Sequence, residues 1–180
     1  MNAKEFIDKY KDNLSKEERT RQWAEQAAIL EKNEEPVVAA LTAAGWPARV
    51  RQCDDNRSVW DLVNTAEPYP QLLDTLAEHV KRPYLKRIRE GIARALAVRE
   101  ARDTYIPRVL MDELKKETDP KEGPNSFRWV LINTLVAIGD SSIKEEVQQL
   151  LDDPRYASVK QDLRRLVKAV TRASRSTKLL

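Results

Sequence analysis

The chain has 180 residues, of which 41% are hydrophobic, 34% are charged and four are glycine, and its formal net charge is +3. One cysteine, Cys53, and one histidine, His79, exclude a disulfide framework and a cysteine-rich zinc site. No stretch holds the roughly eighteen consecutive apolar residues that a membrane-spanning helix needs, and the charged start lacks an apolar signal segment. We therefore expect a cytoplasmic protein, with no membrane association.

The first 45 residues predict three helices: residues 3–13, residues 16–32, and a third from Pro36 to Gly45. Ser15 and Glu18 have the spacing of a capping box, in which the hydroxyl and the carboxylate each accept a backbone N–H. This spacing indicates a break near Ser15, with a helix after it. Proline is tolerated in a first helical turn, and glycine is common just after a last one.

Residues 46–58 have no helical period and predict a loop, after which Ser58 can cap a short amphipathic segment over residues 59–63. We interpret residues 1–65 as an N-terminal helical cap that covers the apolar edge of whatever follows. The apolar side chains expected to form this cover are Phe6, Trp23, Leu30 and Val37.

Residues 66–170 repeat a helical pair with a period near 37 residues. In the first helix of each pair, Leu72, Leu110 and Val147 begin matching apolar stripes at separations of 38 and 37 residues. Ile88 and Phe127 begin the corresponding stripes in the second helices. A fixed period of this length is typical of stacked helical hairpins. Residues 171–180 lose the period and predict a flexible tail.

The sequence resembles the HEAT-repeat family, and also a group of bacterial HEAT-like proteins. The likeness covers residues 66–170. It is carried by EGIARALAV at residues 90–98, LINTLVAIGD at residues 131–140 and QDLRRLVKAV at residues 161–170. It implies an all-α, right-handed α-α superhelix, a HEAT-like solenoid of about three hairpins whose second helices line a concave face.

The charge pattern indicates where such a molecule binds a partner. Residues 81–108 contain nine Lys and Arg against three acidic residues, and residues 154–180 contain eight against one. If both basic segments face the concave side, they form a groove that attracts an acidic partner. The candidate partner-binding residues are Lys86, Arg87, Arg89, Arg94, Arg128, Lys160, Arg164, Lys168 and Arg172.

We therefore expect a non-enzymatic protein-binding or adaptor module that recognises an acidic protein. Sequence-independent binding of nucleic acid through the same groove is the alternative. Two further interpretations stay open: a charged face that is simply solvated, and a structural subunit that stacks end to end through an open repeat edge.

An enzymatic interpretation has little support in the sequence. Some HEAT-like proteins are DNA glycosylases that use Trp, Arg and Asp, and the nearest material here is Trp129 with Arg128 and Asp140, or Trp60 with Asp61. Neither set reproduces a recognisable motif. We expect no cofactor and no metal.

Overall fold

The computed structural model describes residues 15–46, 57–117 and 126–177, the last three without their side chains. These residues form eight α-helices and four short 3₁₀ segments, and none of them lies in a strand. The prediction of an all-α fold is confirmed. The α-helices are α1 (Lys16–Ala43), α2 (Val59–Val63), α3 (Leu73–Val80), α4 (Lys86–Ala95), α5 (Ile106–Lys116), α6 (Phe127–Ile138), α7 (Lys144–Asp152) and α8 (Lys160–Thr177).

From α3 onwards the helices pack in consecutive pairs. Helix α3 contacts α4, α5 contacts α6, and α7 contacts α8. The second helices also contact one another in turn, because α4 packs against α6 and α6 against α8, while α2 packs against the other side of α4. We call α3, α5 and α7 the first helices, and α4, α6 and α8 the second helices. The second helices thus form one layer, with α2 at its edge.

One hydrophobic cluster runs through the described residues, from Val37 on α1 to Val170 on α8. Each hairpin supplies fully buried side chains to it, such as Leu76, Leu110 and Leu163. Burial of one such side chain stabilises the fold by roughly 1.5–3 kcal/mol. The C-terminal part of α1 and the whole of α2 share this core, so the predicted cap region and the repeats are packed together.

The predicted break before Pro36 is wrong: α1 runs through Pro36 without interruption. The proline is exposed, and the side chains just before it fasten this turn to the rest of the molecule. Asn33 Oδ1 accepts the Leu85 N–H at 2.8 Å, and Glu34 Oε1 accepts the Ser58 hydroxyl at 2.9 Å and the Val59 N–H at 2.8 Å. These bonds offset the hydrogen bond that a proline removes from a helix interior.

The N-terminal half of α1 projects beyond the body. Every residue from 16 to 29 is exposed, and α1 packs against the hydrophobic core only from Leu30 onwards. Trp23, expected to cover the first repeat, is therefore 74% exposed, and that prediction is wrong. Leu30 is half-buried and Val37 is buried, whereas Phe6 lies outside the described residues.

Helix α8 continues to Thr177, into the residues that we predicted to form a flexible tail. Ala173 and Ser174 are half-buried and extend the packed side of α8 beyond Val170, and Ser174 Oγ donates to the Val170 carbonyl at 3.2 Å. These side chains keep the helical spacing but are small, so the apolar period is hard to see in the sequence. Residues 178–180 lie outside the described residues.

The predicted helix ends at Ser15, Gly45 and Ser58 are confirmed. Both serines form capping boxes, and Gly45 follows α1 with a φ of +88°. After Gly139, Asp140 caps the 3₁₀ segment Ser141–Ile143. Its carboxylate accepts the N–H groups of Ser142 and Asp103, both at 2.7 Å, and thereby joins the starts of two successive hairpins.

None of the helices in the described residues combines the length and the apolar character needed to cross a membrane. Ten of the residues predicted as a loop, residues 47–56, lie outside the described residues, and Cys53 with them.

Candidate functional site

The candidate site is built around the outward side of α6. This helix is almost wholly buried, and only a narrow strip of side chains reaches the surface. Trp129 and Asn133, one turn apart, are half-buried members of this strip. Asn133 Nδ2 donates to the Trp129 carbonyl at 2.8 Å, which fixes the carboxamide beside the indole.

Helix α4 contributes arginines on one side of this strip. The guanidinium of Arg94 lies over the Trp129 ring, with its Cζ 5.7 Å from the ring centroid. Arg87, seven residues earlier, lies on the same side of α4 and has its Cζ 5.8 Å from the ring centroid of Trp60 on α2. Both contacts are within the range of cation–π attraction.

Helix α8 contributes arginines on the other side. Arg165 Nη1 approaches Asn133 Oδ1 at 3.5 Å and Asp162 Oδ1 at 3.3 Å, and the side chain of Arg165 is 56% exposed. Arg172 is exposed and follows Arg165 by seven residues, so both lie on the same side of α8.

We call these six side chains the second-helix surface; of its arginines, Arg94 and Arg165 contact the α6 strip and Arg87 contacts Trp60 on α2. It consists of Arg87, Arg94, Trp129, Asn133, Arg165 and Arg172. Packed helix axes lie roughly 8–10 Å apart, so the axes of α4 and α8 are about 16–20 Å apart, with the neutral, partly aromatic strip of α6 between them. One arginine from each basic segment, Arg94 and Arg165, thus contacts the outward strip of α6.

Two of the predicted binding residues are engaged inside the molecule. Arg89 forms ion pairs with Glu117 at 2.8 Å and Glu113 at 3.4 Å, and its Cζ lies 4.1 Å from the ring centroid of Phe127. Arg128 is 1% exposed and donates to the carbonyls of Glu117 at 2.6 Å and Arg155 at 2.7 Å. A partner cannot reach Arg128 in this conformation.

The predicted stripe on α8 is divided between two sides of the helix. Side chains four residues apart turn by about 40° at each step, so Lys160 and Arg172 differ by about 120°. Lys160, Arg164 and Lys168 are exposed. Lys160 and Arg164 are turned away from Asn133, whereas Lys168 lies at the margin of the second-helix surface. Lys86 is also exposed and lies about 100° around α4 from Arg87.

The residues considered for glycosylase chemistry do not converge. Trp129 faces outward, whereas Arg128 is buried and Asp140 caps a 3₁₀ segment at the junction of two hairpins. Burial works to raise the pKa of Asp140, but the hydrogen bonds from Ser142 and Asp103 and the nearby Arg102 lower the pKa on balance. Asp61 is also buried and accepts the Ser58 N–H at 2.9 Å.

His79 is a buried structural residue. Its Nδ1 lies 2.7 Å from the hydroxyl of Tyr84, and the two rings are stacked. Burial and the neighbouring Arg82 lower the pKa of His79, with a smaller opposing effect from Glu78. Among the described residues, no three His, Cys, Asp or Glu side chains are grouped as a metal site would require.

The sequence prediction did not select Asn133 or Arg165. Helical spacing shows that Arg165 and Arg172 share a side, but it does not show that this side, and not that of Arg164, borders α6. The outward side of α6 could have been recognised from Trp129 and Asn133, which are spaced by one turn in a mostly apolar helix.

Comparison with models of protein families, with curated protein sequences and with solved structures finds no match for this chain.

Proposed function

We propose that this protein is a non-enzymatic binding module that recognises an acidic protein partner through the second-helix surface. We further propose that its three hairpins form a right-handed HEAT-like superhelix, with this surface on the concave side. The observation that carries the proposal is that α6 contacts Arg94 through Trp129 and Arg165 through Asn133. Arginines from two distant segments therefore border one strip.

The composition of the surface supports a role in protein binding. Arg and Trp are the side chains most often found as energetic hot spots in protein interfaces, where lysine is depleted. Four arginines, one tryptophan and one asparagine make up the surface. An acidic partner would gain association rate and specificity from these charges more than raw affinity.

Several features favour a protein over nucleic acid. Binding of a phosphate backbone needs a track of cations along the strand, whereas the outward strip on α6 carries no cation. Glu90 lies on α4 between Arg87 and Arg94. One face of the Trp60 ring and one face of the Trp129 ring are each approached by a guanidinium, which would compete with a base for stacking on that face.

The test compares two double charge reversals of equal magnitude. Arg94→Glu with Arg165→Glu changes the second-helix surface, and Lys160→Glu with Arg164→Glu changes the other side of α8. We expect the first pair to abolish capture of the partner from host extract and the second pair to retain it. Capture that is unchanged by the first pair, with native helix content by circular dichroism, would place the binding site elsewhere.

A gel-shift assay with a generic DNA duplex and an RNA duplex tests the alternative. We expect no shift at 50 mM salt at micromolar protein. A shift that disappears steeply between about 50 and 200 mM salt, and that the first charge-reversal pair abolishes, would replace the protein partner by nucleic acid.

A further inference from the structure

The projecting half of α1, residues 16–29, is exposed on all its sides. At 1.5 Å per residue it extends about 21 Å. A helix of this length is marginally stable on its own in water. This half also carries Trp23, which is 74% exposed. Trp23, Leu30 and Val37 follow one another at seven-residue spacing, so Trp23 lies on the same side of α1 as the residues that pack into the core in its C-terminal half.

A groove of about 740 Å³ lies beside the same helix, between α1 and the pair α2 and α4. Its apolar lining includes Leu30 and Val38 from α1, Trp60 from α2 and Ile88 from α4. Its acidic residues are Glu31, Glu34, Glu35 and Asp61. Burial raises the pKa of Glu34, with partly opposing hydrogen bonds from Val59 and Ser58.

We infer that a second copy of this chain occupies the groove, with the two α1 helices antiparallel and Trp23 of each copy inserted beside Leu30 of the other. A two-fold axis beside Ala28 places each Trp23 opposite Asn33 of the other copy. The residues of α1 that line the groove lie at the same height along the helix. One chain carries both the protruding Trp23 and the groove that receives it. A closed, self-complementary dimer requires both on the same chain.

Charge and side-chain size agree with this register. Arg21 of each copy comes level with Glu35 of the other, and Glu25 comes within one residue of the level of Lys32. Small side chains lie between Trp23 and Arg21 around the helix and allow the two helices to approach closely. They are Ala24, Ala27 and Ala28.

The two tryptophans supply part of the contact area that a specific dimer needs. Each tryptophan can bury roughly 150–250 Å² of its own surface. The two together supply roughly 300–500 Å² of the roughly 1,200–2,000 Å² that stable interfaces bury. The remaining buried area would come from the groove linings and from the fourteen-residue projecting halves of α1. Each of these surfaces contributes twice in a two-fold dimer.

Sedimentation velocity on the full chain from about 1 to 100 μM tests the inference. We expect a species of twice the 20.7 kDa chain mass. Trp23→Ala should raise the dimer dissociation constant at least tenfold, and because Trp23 is so exposed the substitution leaves the fold intact. The matched control is Ile29→Ala: Ile29 is 52% exposed but lies on the opposite side of α1 from the groove, so dimerisation should be unchanged.

A charge exchange tests the register. Arg21→Glu should weaken the dimer, and Arg21→Glu combined with Glu35→Arg should restore it. A monomer at every concentration, or a dimer that Trp23→Ala leaves as tight as before, overturns the inference. So does a monomer in which Trp23 is protected from acrylamide quenching, because another segment of the same chain then covers it.

Discussion

The guanidinium of Arg94 on α4 lies over the indole of Trp129 on α6, with the Cζ 5.7 Å from the ring centroid. The contact joins successive hairpins at the surface, above a buried hydrogen bond from the Thr134 hydroxyl to the Ala93 carbonyl. Arg94 Nε is buried and has no hydrogen-bond partner among the described residues. We therefore expect the cation–π contact with the indole to be the main favourable interaction of the buried part of this guanidinium.

A double-mutant cycle should detect this contact. We expect Arg94→Ala and Trp129→Ala to be coupled by about 0.5–1 kcal/mol in the free energy of unfolding, the range for a partly exposed cation–π pair. Urea denaturation of the two single variants and the double variant measures the coupling. Arg164→Ala with Trp129→Ala is the control and should be additive, since Arg164 is turned away from α6. Additivity in both cycles would mean that the Arg94 contact contributes nothing.

Substitution of Arg128 should be among the most destabilising changes in the chain. Arg128→Met leaves the carbonyls of Glu117 and Arg155 without their charged donor and removes a cation whose Cζ lies 5.0 Å from the ring centroid of Tyr156. We expect a loss of about 3 kcal/mol or more in the free energy of unfolding.

Arg128→Lys is the informative companion variant. It keeps the charge, but one ammonium cannot reproduce a planar fork that reaches two carbonyls, so its cost should be intermediate. The exposed Arg164→Met should change stability by less than about 0.5 kcal/mol. Equal stabilities for the Arg128 and Arg164 variants would contradict a structural role for Arg128.

The sequence predicted the helical hairpins because each helix has an apolar stripe and the stripes recur at near-constant spacing. The helix ends at Ser15, Gly45 and Ser58 were also predictable, since capping depends on a few consecutive residues. The continuity of α1 through Pro36 was not, because it depends on hydrogen bonds to Leu85 and Ser58 that lie far along the chain.

The same limit applies to the site. A helical wheel places Arg89 on a charged side of α4, but it does not show that Glu113 and Glu117 from the next hairpin meet it there. A helical wheel of α6 shows Arg128 as the only cation of that helix. It does not show that Arg128 is buried and donates to carbonyls of two other segments. Periodicity predicts the side of a helix, whereas the neighbour on that side is a property of the tertiary packing.

Gly91 on α4 should not tolerate a methyl group. A Cβ there would lie 2.6 Å from Val59 Cγ2 and 3.0 Å from Trp60 Nε1, because α2 packs directly on the glycine. In an exposed helix, Gly→Ala would stabilise by up to about 1 kcal/mol. Here we expect the overlap to outweigh that gain and Gly91→Ala to destabilise by about 1–2 kcal/mol.

The partner variant Val59→Ala removes the nearer of the two contacting atoms. The combination of Gly91→Ala with Val59→Ala should therefore cost less than the sum of the single changes, as measured by thermal unfolding. A stabilising effect of Gly91→Ala alone would show that α2 is not packed on α4 as described.

His79 should make the fold sensitive to mild acid. Burial first, and then Arg82, lower the pKa of His79 in the folded state, while Glu78 acts weakly in the opposite direction. The unfolded chain, with a pKa near 6.5, then binds more protons than the folded one as the pH falls. Stability from this group is fully present above about pH 6.5 and is lost as the pH drops towards the lower folded pKa.

We expect urea denaturation of the wild type to show a fall in unfolding free energy from pH 7.5 to 5 that is shallower in His79→Gln. Tyr84→Phe is the control: it removes the hydroxyl 2.7 Å from Nδ1 and should lower stability at every pH, but it should keep most of the slope because burial is the main cause of the shift. Parallel pH profiles for the wild type and His79→Gln would show that the imidazole titrates alike in the folded and unfolded chains. A steeper profile in the variant would reverse the sign of the effect and would mean that the folded state favours the charged ring.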